Sequence, residues 1–204
     1  MAACVCGPLW SLVYLVDDFC WGRGSLEWDP GHRAIYRIDT DGSDRRKLAA
    51  GSFGEAAFSP DGGQIAYTDR CQVQHGEDWA CSVFVMTADG SGKRQLVKGT
   101  TGDWWVAWAA DGKEVLWEAL GPDSAIQATN VATGKSRRVL PASYEGDLVG
   151  ISRSGSRIAV LLYPTSDRTR YSRPLVVATV SGRRVQRVAV PKGWNYEGAS
   201  VFLR

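Results

Sequence analysis

Nowhere does this sequence run for the roughly 18 consecutive apolar residues that a membrane-spanning helix requires. The nearest approach, PLWSLVYLVDDF from Pro8 to Phe19, is shorter and ends in two aspartates. It also lacks the basic start and small-residue cleavage site of a signal peptide. An exported form would therefore have lost its signal or carry it upstream of Met1. Helical periodicity is missing too, because no segment keeps apolar residues at three-and-four spacing for long. There is no charge excess: 24 Lys and Arg face 22 Asp and Glu, for a net +2. That balance is too even to draw nucleic acid or a membrane surface by electrostatics. Imidazole is scarce, with His32 and His75 alone. The spacings of these histidines and the cysteines match no zinc template. No Gly-x-Ser-x-Gly elbow occurs; GISRSG at Gly150 to Gly155 has the wrong spacing and falls on a turn. No glycine-rich phosphate loop runs from a strand into a helix. The expectation is thus no catalytic residue, no metal, no cofactor, no nucleic acid and no membrane insertion.

What is present is a repeated turn. FSPDGGQIAY (Phe58 to Tyr67) returns as WAADGKEVLW (Trp108 to Trp117) and, more faintly, as ISRSGSRIAV (Ile151 to Val160). Pro60 sets φ, Asp61 can bond back to nearby amides, and Gly62 accepts a positive φ, which suits a tight reversal between neighbouring strands. Stacking the chain on these turns gives a period of about 45 to 50 residues, in the range of propeller blades. The units run over 34–69, 82–119, 125–163 and 174–204, the last completed by 8–17. Each reads as four short strands rich in β-branched and aromatic residues. The fold class is all-β: a propeller of about four four-stranded antiparallel blades. Phe58, Tyr67, Trp108 and Trp117 fall inside strands and read as core. Arg45, Arg46, Arg137, Arg138, Arg183 and Arg184 recur with the unit and read as solvated charges that discourage sheet edges from aggregating.

Five cysteines make an odd count. Cys71 and Cys81 bracket CQVQHGEDWAC, a spacing that suits a disulfide at the base of a long hairpin loop, the alternative being two unrelated thiols. The pairing of Cys4, Cys6 and Cys20 stays open.

The segments DGSDRRKL (Asp41 to Leu48), DGSGKRQL (Asp89 to Leu96) and TGKSRRVL (Thr133 to Leu140), followed by phrases such as FSPDGGQIAY, resemble the propeller repeat of the TolB family. The resemblance covers the chain from about Leu9 onward. Similar blades occur in the propellers of prolyl-oligopeptidase-like peptidases, so the likeness implies fold more than function. TolB likeness implies an extracytoplasmic bacterial setting, with which a Cys71–Cys81 pair agrees. Two closures are open. Pairing the last strand, SVFLR, with the N-terminal one would close four blades. Alternatively, the chain is part of a larger propeller, or self-associates to complete one.

Alternate connections of an up-and-down blade leave on opposite faces, so the tight turns share one face and the long connections the other. Binding usually resides on such loops. The links before the inner strands, SFGEAA, TGDWWVA, SYEGDLV and NYEGASV, each set an aromatic beside an acid. The candidate binding residues are Glu55, Trp79, Asp103, Trp104, Trp105, Tyr144, Glu145, Trp194, Tyr196 and Glu197. The competing role for each ring is to pack between blades, and for each acid to sit solvated on the rim. The reading is a non-catalytic scaffold that binds a protein or peptide through this face in the cell envelope. The alternatives are the propeller portion of a serine peptidase and a carbohydrate-binding propeller.

Overall fold

The structure is a computed structural model that describes residues 3–4, 11–17, 33–39, 41–51, 53–73, 79–119, 125–141, 144, 146–152, 154–162, 174–183 and 185–188. For 3–4, 11–17, 33, 72–73, 79 and 100–104 it describes the backbone. Among these residues there are fifteen strands and no helix. Strands β1 (Ala3–Cys4), β2 (Ser11–Asp17), β3 (Arg33–Asp39) and β4 (Arg46–Gly51) form blade I. Strands β5 (Ala56–Phe58), β6 (Gln64–Val73), β7 (Trp79–Thr87) and the first half of β8 (Arg94–Trp108) form blade II. The second half of β8, with β9 (Glu114–Ala119), β10 (Ala125–Asn130) and β11 (Ser136–Arg138), forms blade III. Strands β12 (Gly146–Ile151), β13 (Arg157–Leu162), β14 (Leu175–Thr179) and β15 (Val185–Arg187) form blade IV. All pairings are antiparallel, and β8 is shared, so blades II and III are hydrogen-bonded into one seven-stranded sheet.

The blades are offset by two strands from the sequence repeat. Of the unit 34–69, β3 and β4 lie in blade I while β5 and β6 open blade II. The expected closing strand, SVFLR, lies outside the described residues. Within them β2 pairs with β3 along one edge and with β1 along the other, Cys4 opposite Val13.

Inner strands such as β9 and β13 bury both faces, which is why they are apolar nearly throughout instead of alternating. In β9, Val115 and Trp117 pack toward blade II, and Leu116 packs toward blade IV. Ile35 and Leu48 of blade I meet Phe58, Tyr67 and Met86 of blade II. Leu116, Ile126 and Ala128 of blade III meet Leu148, Ile158 and Val176 of blade IV. Burying each such aliphatic side chain contributes about 1.5–3 kcal/mol, an upper figure against a fully extended unfolded chain. Phe58, Tyr67, Trp108 and Trp117, all read as core, are 2–5% exposed. Their polar ends are satisfied: Trp108 Nε1–H donates to Ala57 O across the blade boundary at 3.0 Å, and Trp117 Nε1–H to Thr129 Oγ1 at 2.7 Å.

The tight turns form as their residues dictate. At β5–β6, Gly62 sits at φ +70° and donates to Ser59 O at 2.8 Å. Asp61 Oδ1 accepts from Gly63 N–H at 3.0 Å and from Ser59 Oγ–H at 2.6 Å. The β12–β13 turn lacks the aspartate. There Ser152 Oγ accepts from Arg157 N–H at 3.0 Å, as Ser59 Oγ does from Gln64 N–H at 2.9 Å.

These turns are also bonded to one another. Within blades II, III and IV, Ala88, Val131 and Val180 N–H donate to Gly63, Lys113 and Ser156 O at 2.9–3.0 Å. Between blades, Ala110 N–H donates to Gly155 O at 3.1 Å. Of the arginines read as solvated edge charges, Arg45, Arg46, Arg137 and Arg183 are exposed, but two arginines at this end also bond between blades. Arg94 Nη2 donates to Val131 O at 2.7 Å, reaching from blade II to blade III. Arg137 donates to both carboxylate oxygens of Glu114, at 2.9 and 2.6 Å, and on to Val180 O of blade IV at 3.2 Å. Val131 O and Val180 O lie in the turns that follow β10 and β14, where one guanidinium N–H from the preceding blade reaches each. Arg45 instead lies over the Tyr36 ring, and Arg46 pairs with Asp44. Arg184 lies outside the described residues.

Candidate functional site: the long-connection end

With the tight turns bonded together at one end of the strands, the connections 52–55, 74–78, 120–124, 142–145 and 163–173 leave from the other. Two of the candidate rings are brought together there. Trp105 and Tyr144 are both half-buried and pack against the same cluster between blades III and IV. Tyr144 is held by its own N–H, which donates to Pro141 O at 2.9 Å. Trp105 is placed by an irregularity in β8. Thr101 stands opposite Ala119 and Val106 opposite Trp117, so residues 102–105 face Glu118 alone. The link TGDWWVA is thus a wide bulge inside a continuous strand, a device that re-aims side chains near rims and sites. Asp103 and Trp104 lie in this bulge; their side chains are outside the described residues.

Glu118 is the residue that the sequence reading missed. It is 4% exposed, between Trp117 and Ala119 in the chain and opposite Ile126. Strand alternation puts it on the same face as Leu116, toward blade IV. A buried carboxylate is uncommon enough to mark a position for attention. The available signal was an acid inside LWEAL, where Trp117 already read as core.

Glu55 is half-buried at the entrance to β5, its N–H donating to Thr68 Oγ1 at 2.9 Å and its carbonyl accepting from Thr68 N–H at 3.0 Å. The aromatic of that link, Phe53, is 1% exposed and meets Tyr67 edge-on at 5.7 Å, so it serves the core. Burial, reinforced by Asp69, pushes the Tyr67 hydroxyl up to about 12, which keeps it neutral. Trp79 begins β7 opposite Val73; its side chain is outside the described residues, as are Glu145, Trp194, Tyr196 and Glu197 altogether. Cys71 and Cys81 form a disulfide, with both residues buried. Among the described residues no group of three or more His, Cys, Asp or Glu could hold a metal ion. No helix among them is long and apolar enough to cross a membrane.

No family model matches the chain, and no curated protein matches it by sequence. Solved structures do. TolB from Acinetobacter baumannii superposes with a TM-score of 0.63 at 17% identity, over 87% of this chain and 40% of that one. The fold is that of a TolB-like β-propeller. The same propeller is similar to an oligogalacturonate lyase bound to manganese, with a TM-score of 0.60 at 15% identity over 94% of this chain and 54% of that one. It is also similar to a prolyl endopeptidase, with a TM-score of 0.63 at 14% identity over 97% of this chain and 30% of that one. The TolB-like propeller thus spans between 30% and 54% of these chains. Identities this low carry the fold and leave function to the site.

Proposed function

We propose that this TolB-like propeller is a non-catalytic scaffold that binds a protein or peptide partner through its long-connection end, in the bacterial cell envelope. The observation that carries the reading is the contrast between the two ends. Hydrogen bonds within and between blades occupy the tight-turn end, while the opposite end holds Trp105 and Tyr144 half-exposed on one rigid inter-blade cluster. Rings fixed by packing and left partly open lose little side-chain entropy on binding, which suits them to anchor a partner. The Cys71–Cys81 disulfide supports an oxidising, extracytoplasmic setting.

The test is to select peptides on the immobilised protein from a random display library. Their affinities would then be compared on Trp105→Ala with Tyr144→Ala, and on the turn-end variant Lys135→Ala. The expected outcome is a loss of at least tenfold on the double variant and no change on Lys135→Ala, with both variants folded by circular dichroism. Equal affinity for the double variant, or loss confined to Lys135→Ala, would refute the assignment of the binding end.

A further inference from the structure

Strands β6 and β7 keep one register from Gln64 opposite Thr87 to Asp69 opposite Ser82 and then change it, with Gln72 opposite Ala80 and Val73 opposite Trp79. Two residues, Arg70 and Cys71, therefore face one, Cys81, which makes a β-bulge. The disulfide joins Cys71 to Cys81 across this bulge. Arg70 is exposed and sits at φ +55°, in the left-handed region that residues with a Cβ seldom enter. Asp69 Oδ1 accepts its N–H at 2.6 Å, and its guanidinium lies 5.2 Å from the Phe84 ring.

If the register that ends at Asp69 continued without the bulge, Arg70 would stand opposite Cys81, Cys71 opposite Ala80 and Gln72 opposite Trp79. Side chains alternate along a strand, so Cys71 and Cys81 would then lie on opposite faces of the sheet. Their sulfurs could not meet. The disulfide therefore requires the bulged register. The continuous register, by contrast, would let Arg70 take ordinary extended φ.

We propose that the Cys71–Cys81 bond is a register lock, and that reducing it lets β6 slip by one residue against β7. The reductant is a dithiol. Its thiolate attacks one sulfur to give a mixed disulfide, and its second thiol resolves that bond. Two protonated cysteine thiols and a cyclic oxidised reductant remain. Both cysteines are buried, at 5% and 0% exposure, so exchange follows opening of the hairpin end. A one-residue slip carries residues 71–73 to the other face relative to β7. It moves the pairing of Trp79 from Val73 to Gln72, at the long-connection end of the two strands. The register change is independent of what that end binds.

The experiment is backbone NMR of the isotopically labelled protein before and after dithiothreitol. The oxidised protein should show cross-strand backbone contacts between Gln72 and Ala80. In the reduced protein these should be lost and replaced by contacts between Cys71 and Ala80. Persistence of the Gln72–Ala80 contacts after reduction, or their loss with no Cys71–Ala80 contacts appearing, overturns the proposal. A second variant avoids reduction: Ala80→Cys with Cys81→Ser. The slipped register sets position 80 directly opposite Cys71, so mild oxidation with glutathione disulfide should join the two in most of the protein, read by peptide mapping. Thiols that stay unjoined there overturn the slip.

Discussion

If the tight turns dock blade against blade, a methyl group added at Gly155 should cost far more than one added at a turn glycine that touches nothing. Gly155 sits at φ +66°, and a Cβ there would lie 2.7 Å from Ala110 N, 2.9 Å from Ala110 Cα and 3.1 Å from Ala109 C. All three atoms are backbone of blade III, so no side chain can rotate away. Reaching an ordinary separation of about 3.5 Å needs a shift of roughly 0.8 Å. That shift would break the 3.1 Å bond from Ala110 N–H to Gly155 O. Gly134 is the control, with nearly the same φ, +70°, and nothing within 4 Å of its would-be Cβ. Ala at Gly134 should cost about 1 kcal/mol, from left-handed φ offset partly by a less flexible unfolded chain. Ala at Gly155 adds overpacking of about 1–3 kcal/mol and a lost hydrogen bond of about 1 kcal/mol, giving about 3–5 kcal/mol in all. Urea denaturation followed by tryptophan fluorescence would read both variants. The gap of about 2–4 kcal/mol corresponds to melting temperatures separated by about 4–16 °C for a chain of this size. Costs for the two variants equal to within about 0.5 kcal/mol would refute the docking of turn on turn.

Ile158 is 0% exposed between blades III and IV, so Ile158→Ala should cost about 2–5 kcal/mol in the same denaturation assay. The Arg137 and Glu114 side chains are 40% and 22% exposed, so a double-mutant cycle with Arg137→Ala and Glu114→Ala should give a coupling of about 1 kcal/mol or less. The Thr87 hydroxyl and then the Ser91 N–H hold the Asp89 carboxyl down to about 2. A depressed folded value means stability that is fully present above the unfolded value near 4 and is lost as pH falls from there through about 2. The melting temperature should therefore fall across that window, and less steeply in Asp89→Asn; identical slopes would contradict the assignment.

The turns were legible because each depends on one or two residues at fixed places. Asp61, Gly62 and Gly112 announce their conformation wherever they stand between apolar runs. Blade membership was not legible in the same way. Nothing local to residues 34–69 says that β4 and β5, adjacent in the chain, fall in different sheets; that follows from which strands pair. The bulge at 102–105 was hidden for a related reason, since TGDWWVA gives no sign that four residues will face one. Two tryptophans and an acid marked the place as unusual, and half-buried Trp105 stayed among the candidates. Phe53 went the other way. SFGEAA has the same chemistry as TGDWWVA, yet its ring is core, because it is set between blades I and II instead of at the end of a bulge.

The arginines show why register decides what composition cannot. Aligning the repeats on their leucines matches Arg46, Arg94 and Arg138. The strand pairing gives a different set. The turn glycines Gly42, Gly90, Gly134 and Gly182 donate to Asp39, Thr87, Asn130 and Thr179 O. Two residues before those acceptors stand Arg37, Val85, Ala128 and Val177, which pair with Arg46, Arg94, Arg137 and Gln186. Arg94 and Arg137, not Arg138, are therefore equivalent, and both reach a carbonyl one residue past the same acceptor in the next blade, Val131 O and Val180 O. Arg46 holds the same place in blade I but turns to Asp44. A salt link to a neighbour two residues away competes with the crossing, and Gly92 and Ser136, at the place of Asp44 two residues before or one residue before the other arginines, offer no carboxylate to do so. In blade IV the place belongs to Gln186, a shorter and neutral side chain. The crossing bond is thus written in the chain twice, at the two blade boundaries where the arginine at this register has no acid two residues before it in the chain; Arg137 makes it while also paired with Glu114 across the sheet.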